Sequence, residues 1–124
     1  MNVAEELLEV LSDSHRYINI PKRDVNTNLS DIKCLWIGYE ECYDENRNKS
    51  YQQTFNLKIG WTEQELQKLW YDLDFEYDDG YGGQELFGIV WFNDGSWLER
   101  GEYDGSEWWA YKATPKIPDN LNQI

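Results

Sequence analysis

Two Asp-Gly dipeptides divide residues 85–113 into three short segments rich in aromatic residues. Asp94-Gly95 follows ELFGIVWF, and Asp104-Gly105 separates WLERGEY from EWWAYKA. An Asp-Gly pair between apolar segments favours a tight hairpin, because the turn needs residues that adopt positive φ. The sequence therefore predicts a three-stranded antiparallel meander, which excludes an all-helical fold.

The large apolar side chains of this meander are predicted to be cross-strand neighbours that cover a sheet and pack against a helix. They are Trp91, Trp97, Leu98, Trp109 and Tyr111. The register of the second hairpin stays open at this point. A two-residue turn would set Glu102 directly opposite Glu107, which is unfavourable for like charges, whereas a longer turn would separate the two carboxylates.

Residues 62–73 carry the clearest helix signal in the chain. Thr62 and Glu65 have the spacing of a capping box, in which each side chain accepts the backbone N–H of the other residue. Trp61 precedes the cap and is placed to pack on Leu66 as a hydrophobic staple. One apolar stripe at helical spacing comprises Leu66, Leu69, Trp70 and Leu73.

The N-terminal half predicts a second helix and a two-strand hairpin. Residues 2–13 form an amphipathic pattern that begins with an Asn2–Glu5 capping pair. Two alternating segments, IKCLWIGYEE and TFNLKIG, flank the polar, turn-forming residues 43–52. Their inward-facing residues are predicted to be Leu35, Ile37 and Tyr39 in the first segment, and Phe55, Leu57 and Ile59 in the second.

These elements together predict one α+β domain that spans residues 1–124. Its antiparallel sheet should hold about five strands, as a two-strand hairpin plus a three-strand meander, packed against one or two helices. A chain of 124 residues, of which 40% are hydrophobic, can bury one core and has little room for a second domain.

Negative charge is concentrated in one part of the chain. The net charge is -13, and residues 61–107 alone carry thirteen acids and two bases. Such a field repels nucleic acid and anionic membranes and attracts basic partners. We therefore expect a basic, nucleic-acid-binding host protein as the partner, with no direct binding to nucleic acid or membrane. The competing interpretation is that the charge serves solubility alone.

Acidic residues recur at every second position of DLDFEYDDG, residues 72–80. A calcium-binding loop starting at Asp72 would need glycine where Tyr77 stands and glutamate where Gly83 stands, so the pattern fails. If the segment is extended, its acids lie on one face about 6.6 Å apart, with Leu73, Phe75 and Tyr77 on the other. We expect no metal or cofactor, although loose binding of Ca²⁺ or Mg²⁺ by the clustered carboxylates stays open.

Catalytic signals are weak, and the sequence predicts a protein that is not an enzyme. His15 is the only histidine, so any triad or Cys-His pair would have to use it. No zinc-protease, nucleophile-elbow or phosphate-binding loop motif is present. Arg100 stands almost alone among acids, and two roles are open for it. It pairs with Glu102 or Glu107 across the sheet, or it anchors an interface.

Cytoplasmic localisation is expected. The N-terminal residues MNVAEELLEV lack the basic segment and the long apolar run of a signal peptide or a membrane helix. Cys34 and Cys42 match no common metal-ligand spacing, and in a reducing compartment both thiols are expected to be free.

A longer C-terminal stretch resembles a known group of proteins. Residues 77–118, YDDGYGGQELFGIVWFNDGSWLERGEYDGSEWWAYKATPKIP, are similar to small acidic proteins of unassigned function that tailed bacteriophages and prophages encode. The likeness rests on the GGQELFG run, the DGSW turn, the EYDGSEWW segment and the following Pro-x-x-Pro. It implies a phage context, and no activity or site residue is carried over with it.

Three hypotheses for the function follow. The first is a phage-type inhibitor of a host nucleic-acid-directed defence enzyme, of the anti-CRISPR or anti-restriction type, with an acidic surface that mimics DNA or RNA. The second is a cytosolic immunity or adaptor protein with a basic partner, and the third is a carboxylate-based metal hydrolase. A homodimer is also compatible with the surplus of aromatic residues. The predicted contact surface comprises Asp72, Asp74, Glu76, Asp78, Asp79, Glu99, Glu102, Asp104, Glu107 and Trp108.

Overall fold

The computed structural model describes residues 1–12, 29–77, 83–103, 106–115 and 117–121. The helices are α1 (Val3–Ser12) and α2 (Glu63–Asp72), and the strands are β1 (Ile32–Tyr43), β2 (Lys49–Leu57), β3 (Leu86–Phe92), β4 (Trp97–Tyr103) and β5 (Ser106–Lys112). Short 3₁₀ turns lie at Leu29–Asp31 and Asp119–Leu121. In the described ranges no helix is long and apolar enough to cross a membrane.

The strands form one antiparallel sheet in the order β2-β1-β3-β4-β5. The predicted α+β class, with a hairpin and a meander, is therefore confirmed. The two units join because β1 pairs with β3, with Ile37 opposite Gly88. A side chain at Gly88 would meet the Trp36 carbonyl oxygen at 2.7 Å, so the glycine permits this close approach of two central strands.

The hydrophobic core lies between one face of the sheet and the two helices. Alternation along each strand sends every second side chain toward α1 and α2. The buried sheet residues of this layer are Ile32, Leu35, Ile37, Leu57, Leu86, Val90, Phe92, Leu98 and Trp109. Those of the helices are Val3, Ala4, Leu7, Val10, Leu11, Leu66 and Leu69. We call this side of the sheet the helix side and the opposite side the outer face.

The N-terminus of α2 is held by the predicted capping box. The Glu65 amide donates to Thr62 Oγ1 and the Thr62 amide donates to Glu65 Oε1, both at 3.2 Å. The indole N–H of Trp61 donates to the carbonyl oxygen of Ile32 at 2.9 Å, which ties the helix start to β1. At α1, the Glu5 amide donates to Asn2 Oδ1 at 3.0 Å, as the sequence predicts.

We expect Thr62→Ala to lower the free energy of unfolding by about 1 kcal/mol, because the Glu65 amide loses its acceptor at the helix start. Urea denaturation at neutral pH measures this loss. Gln67→Ala on the exposed surface of the same helix is the matched control, and it should change stability by less than about 0.5 kcal/mol. Equal losses in the two variants would show that the capping box does not hold the helix.

The end of the first hairpin differs from the prediction. Ile59 was expected to face inward, but it is 69% exposed. The strand ends at Leu57, and the chain turns at Gly60, whose φ of +84° is favourable for glycine. The alternating pattern therefore continues past the point where strand pairing stops. The strands of this hairpin also extend into the segment 43–52, which was predicted to be a turn throughout.

The aromatic residues of the meander divide between the two faces, which corrects the expectation that all pack against α2. Trp91 and Trp97 are cross-strand partners as predicted, but they lie on the outer face. Leu98, Trp109 and Tyr111 lie on the helix side, where Leu98 and Tyr111 are partners. One more residue in the first turn would move Trp97 to the helix side and Leu98 to the outer face, so the division depends on turn length.

The second hairpin has the shorter of the two turns considered above. Its register sets Tyr103 opposite Ser106, so two residues connect the strands. Glu102 therefore lies directly opposite Glu107, the arrangement that is unfavourable for like charges.

Candidate functional site

Arg100 forms a buried ion-pair cluster with two carboxylates and a phenol. Its side chain is 1% exposed and points to the helix side of β4. One guanidinium nitrogen pairs with the Glu6 carboxylate of α1. The other lies 3.0 Å from Glu107 Oε1 and donates to the Tyr77 hydroxyl at 2.9 Å. The Tyr77 hydroxyl in turn donates to the Glu6 carboxylate, with oxygens at 2.9 and 2.5 Å.

Glu107 also accepts hydrogen bonds from backbone amides at the start of β3. Its two carboxylate oxygens accept the amides of Glu85 at 2.7 Å and Leu86 at 3.0 Å. The pairing of β3 with β4 ends at Ile89 opposite Glu99, so these amides have no strand partner on that side. The Glu107 carboxylate therefore supplies the acceptors that the backbone of β4 does not offer at the start of β3. The predicted pairing of Arg100 with Glu107 is confirmed.

Burial and charge together set the protonation states in the cluster. Burial raises the pKa of Tyr77, and its hydrogen bond to Glu6 raises it further, against the opposing effect of Arg100. Burial lowers the pKa of Arg100, but Glu6, Tyr77 and Glu107 together raise it above its ordinary value. The guanidinium carbon also lies 5.0 Å from the Trp109 ring centroid. The cluster holds a neutral phenol and a fixed cation between two carboxylates.

We expect the stability advantage of the wild type over Tyr77→Phe to shrink as pH rises above about 10. Because the folded-state pKa of Tyr77 exceeds its ordinary value of 10.0, the folded chain keeps a proton that the unfolded chain loses. The contribution is complete below that pH and falls by at most about 1.4 kcal/mol per pH unit above it. Urea denaturation of both proteins at neutral and alkaline pH measures the difference.

Tyr71→Phe is the control for this pH series. Tyr71 is 82% exposed on α2, so this variant controls for the loss of a tyrosine hydroxyl that lies in solvent. A constant gap between wild type and Tyr77→Phe at all pH values would contradict the proposed linkage. Tyr39 and Tyr43 also have raised pKa values, from burial and from a hydrogen bond to Glu41 respectively. The comparison therefore uses the difference between variants rather than the wild-type slope.

Glu107 must be removed from the predicted contact surface. Its side chain is 0% exposed and its charge is matched by Arg100, so it cannot meet a partner protein. The strand pattern contained the signal, because Glu107 has the same parity as the buried Trp109, two residues further along β5. No sequence pattern singles out Glu6. It follows Glu5 in the first turn of α1 and is also buried. It contacts Arg100 although the two residues are 94 positions apart in the sequence.

The acidic row after α2 has the predicted alternation over 73–77. Leu73 and Tyr77 are buried and Phe75 is half-buried, whereas Asp74 and Glu76 are exposed. The backbone of this segment holds α1, because the Val3 amide donates to the Phe75 carbonyl and the Ala4 amide to that of Leu73, both at 3.0 Å. The outward acids therefore lie beside the start of α1.

We use the name helix-side acidic surface for the outward-facing acids of α1, α2 and the 73–77 segment. It comprises the exposed residues Glu5, Glu9, Glu63, Glu65, Asp74 and Glu76 and the half-buried Asp72. Among these acids, Asp72 lies 2.6 Å from Lys68 Nζ, and Glu76 lies 3.0 Å from the N-terminal ammonium. Asp74 accepts a hydrogen bond from Asn2 at 2.8 Å. Positive charge in the described segments that build this surface is thus sparse.

The remaining predicted contact residues are dispersed. Glu99 lies on the outer face, 3.5 Å from Lys112, and Trp108 is 42% exposed on the same face. Glu102 is exposed, at a helix-side position of β4. Asp78, Asp79 and Asp104 lie outside the described residues. A single row that contains all the predicted carboxylates is therefore not present among the described residues.

The outer face of the sheet carries the second unusual surface. Each of the five strands contributes at least one large apolar side chain to it. We define the outer aromatic face by its larger side chains, Trp36, Tyr51, Phe87, Ile89, Trp91, Trp97 and Trp108. Tyr51 packs edge-on against Trp36, with ring centroids 5.0 Å apart, over the space that a side chain at Gly38 would fill.

The described residues offer little for catalysis or metal binding. Within these ranges no group of three His, Cys, Asp or Glu side chains could hold a metal ion. Cys34 and Cys42 are free thiols, and Cys42 Sγ lies 3.1 Å from Ser50 Oγ. His15 lies outside the described residues. One concavity of about 260 Å³ lies between α2 and β2, and another of about 310 Å³ lies beside Cys34 and Trp91.

Comparison with known proteins assigns no family to the chain. No family model, curated protein or solved structure matches it. The resemblance of residues 77–118 to phage-encoded proteins therefore stays a prediction. The two surfaces and the buried cluster are the features on which a functional proposal can rest.

Proposed function

We propose that the protein is a phage-type inhibitor that binds and blocks a host nucleic-acid-directed defence enzyme, of the anti-CRISPR or anti-restriction type. It acts in the host cytoplasm without catalysis. Its contact surface presents negative charge to the basic cleft in which such an enzyme holds DNA or RNA. The helix-side acidic surface is the observation that carries this proposal.

The charge of this surface supports such a partner. Seven outward-facing carboxylates lie on α1, α2 and the 73–77 segment, and these segments themselves contain one lysine besides the N-terminal ammonium. A surface of one sign speeds encounter with a partner of the opposite sign and disfavours like-charged molecules, including nucleic acid itself. Of the residues predicted from sequence, Asp72, Asp74 and Glu76 belong to this surface, so the proposed contact narrows to them and their helical neighbours.

The rigidity of the surface also supports recognition. The Asp74 and Glu76 segment is bonded to α1 through main-chain hydrogen bonds, and α1 is fixed to the sheet through Glu6 and Arg100. A preformed arrangement of charges loses less conformational entropy on binding than a flexible acidic tail. The buried cluster thus has a positioning role in the proposed function.

A cytosolic immunity or adaptor protein with a basic partner is the second candidate. The outer aromatic face favours it, because a connector between proteins needs two separate surfaces and this fold has an acidic and an aromatic one. A toxin gene immediately upstream of the coding gene would favour immunity. If the chain captured a basic toxin instead of a nucleic-acid enzyme, the result would favour the immunity or adaptor protein.

The test is affinity capture from host lysate with the tagged full-length chain at low and high salt. We expect a nucleic-acid enzyme to be retained at low salt, released at high salt and displaced by added DNA or RNA, since both compete for one cleft. The purified enzyme should lose activity when the chain is added. Failure to retain any nucleic-acid enzyme in a salt-sensitive manner would overturn the proposal.

A further inference from the structure

Two ion pairs lie on or beside the outer aromatic face, and in each a lysine balances a glutamate. Lys112 Nζ lies 3.5 Å from Glu99 Oε1, and Lys49 Nζ lies 3.3 Å from Glu41 Oε1. Lys49 Nζ also lies 5.5 Å from the ring centroid of Phe87, which places it over this face. The outer aromatic face therefore contrasts with a chain whose net charge is -13.

The paired charges on this face favour one kind of binding partner over others. Two copies of a strongly acidic chain repel each other over most of their surfaces, and at physiological salt the repulsion extends about 8 Å. The outer aromatic face is where two copies can approach without placing carboxylate against carboxylate. A strongly basic partner would gain little charge complementarity here and would prefer the helix side. A second copy is therefore the occupant that the charges favour.

The arrangement of charges is also self-complementary. Glu99 and Lys112 lie on adjacent strands of the same face. A two-fold axis brings the same patch of both copies together, so a lysine of one copy can meet a glutamate of the other. Each pair can then exchange partners across the interface without leaving a charge uncompensated.

The size of the face suits a reversible dimer. Five strands about 4.8 Å apart and about 3.3 Å per residue along seven-residue strands give a face on the order of 20 Å by 20 Å. Large rings raise its accessible area above the flat value. The flat area of about 400 Å² per copy is below the roughly 600 Å² per partner of the smallest standard stable interfaces, so the expected dimer is weak and reversible.

We infer that the outer aromatic face is a dimer interface, on which a second copy of this chain packs its own outer aromatic face. The two sheets lie face to face about 10 Å apart, and the rings interdigitate between them. Trp91 and Trp108 are the anchors, because they are 39% and 42% exposed and lose the most water on contact. This dimer leaves the helix-side acidic surface of each copy open.

Sedimentation equilibrium of the full-length chain tests the inference from micromolar to millimolar concentration. We expect a mass of twice 14.8 kDa at high concentration. Added salt should tighten the dimer, because it screens the repulsion between the acidic copies and leaves ring burial intact. This salt response has the opposite sign to that expected for the partner complex of the proposed function.

Substitutions test whether the outer aromatic face is the surface on which the two copies meet. Trp91→Lys and Trp108→Lys should each weaken the dimer at least about tenfold, since a burial loss of 1.4 kcal/mol already has that effect. Tyr71→Lys, on the exposed surface of α2, is the matched control and should leave the dimer unchanged. Circular dichroism verifies that each variant is folded.

A wild-type chain that stays monomeric up to millimolar concentration overturns the inference, with no variant needed. A dimer that both tryptophan variants leave intact while Tyr71→Lys breaks it also overturns the inference, because the contact would then lie on the helix side. Neither result bears on capture of a nucleic-acid enzyme, so this inference and the proposed function fail separately.

Discussion

Arg100→Met is expected to lower the free energy of unfolding by about 3–5 kcal/mol. The substitution keeps a long apolar side chain but removes the cation that lies between Glu6 and Glu107. Both carboxylates are buried, at 7% and 0% side-chain exposure, so their charges would stay in a medium that solvates them poorly. A small domain is stable by only about 5–15 kcal/mol, so this loss is a large part of the total. Urea and thermal denaturation at neutral pH measure it.

Lys112→Met is the matched control for this experiment. Lys112 pairs with Glu99 at 3.5 Å, but both side chains are more than one third exposed. Water and salt screen such a pair, and its loss should change stability by less than about 1 kcal/mol. A loss in Arg100→Met no greater than in the control would show that the buried cluster is not needed for the fold.

A second substitution separates charge from packing. Adding Glu6→Met to Arg100→Met removes one of the two uncompensated carboxylates, so the double variant should be more stable than Arg100→Met alone. Removing Glu107 instead should give no such recovery, because the amides of Glu85 and Leu86 would lose their acceptor. Further destabilisation by Glu6→Met in the Arg100→Met background would indicate that packing dominates.

Neutralising the helix-side acidic surface is expected to slow association with the captured nucleic-acid enzyme by about tenfold to a hundredfold at low ionic strength. The variant combines Glu5→Gln, Glu63→Gln, Asp74→Asn and Glu76→Gln. These changes keep side-chain size, and the four residues are exposed. The loss should appear mainly in the association rate and should shrink as salt is added. Surface plasmon resonance with the purified enzyme at several salt concentrations measures both.

The control for this variant has the same net charge. Glu40→Gln, Glu41→Gln, Glu45→Gln and Glu99→Gln remove four carboxylates that lie away from the helix-side acidic surface. We expect this second variant to associate within a few-fold of the wild type, because encounter depends on charge near the contact rather than on the total. Equal slowing in both variants would indicate long-range attraction without a defined contact, and no slowing in either would remove the helix side from the proposed function.

Local elements could be predicted because short-range chemistry determines them. The capping box of Thr62 and Glu65 needs two side chains three residues apart, and both bonds are present. The turn at Asp94-Gly95 needs a residue that tolerates positive φ, and Gly95 has a φ of +90°. The alternation over 73–77 likewise follows from the two-residue period of an extended chain.

The candidate surface was only partly predictable, because exposure depends on neighbours that are distant in sequence. Asp74 and Glu76 are exposed as expected, since they alternate with buried residues within one segment. Glu107 appeared to belong with them by charge, but its parity places it beside Trp109 in the core. The acids of α1 were missed because nothing local indicates that Asn2 bridges to Glu76 and brings α1 to the acidic row.

The sequence by itself determined the helices, the two hairpins and the concentration of negative charge, since each depends on residues within a few positions of one another. Tertiary structure decided the pairing of β1 with β3, the face on which each tryptophan lies and the burial of Arg100 with Glu6. These features join residues up to 94 positions apart. Their free energy comes from desolvation and from charge compensation in the folded chain, and no local pattern records which distant carboxylate will neutralise a buried arginine.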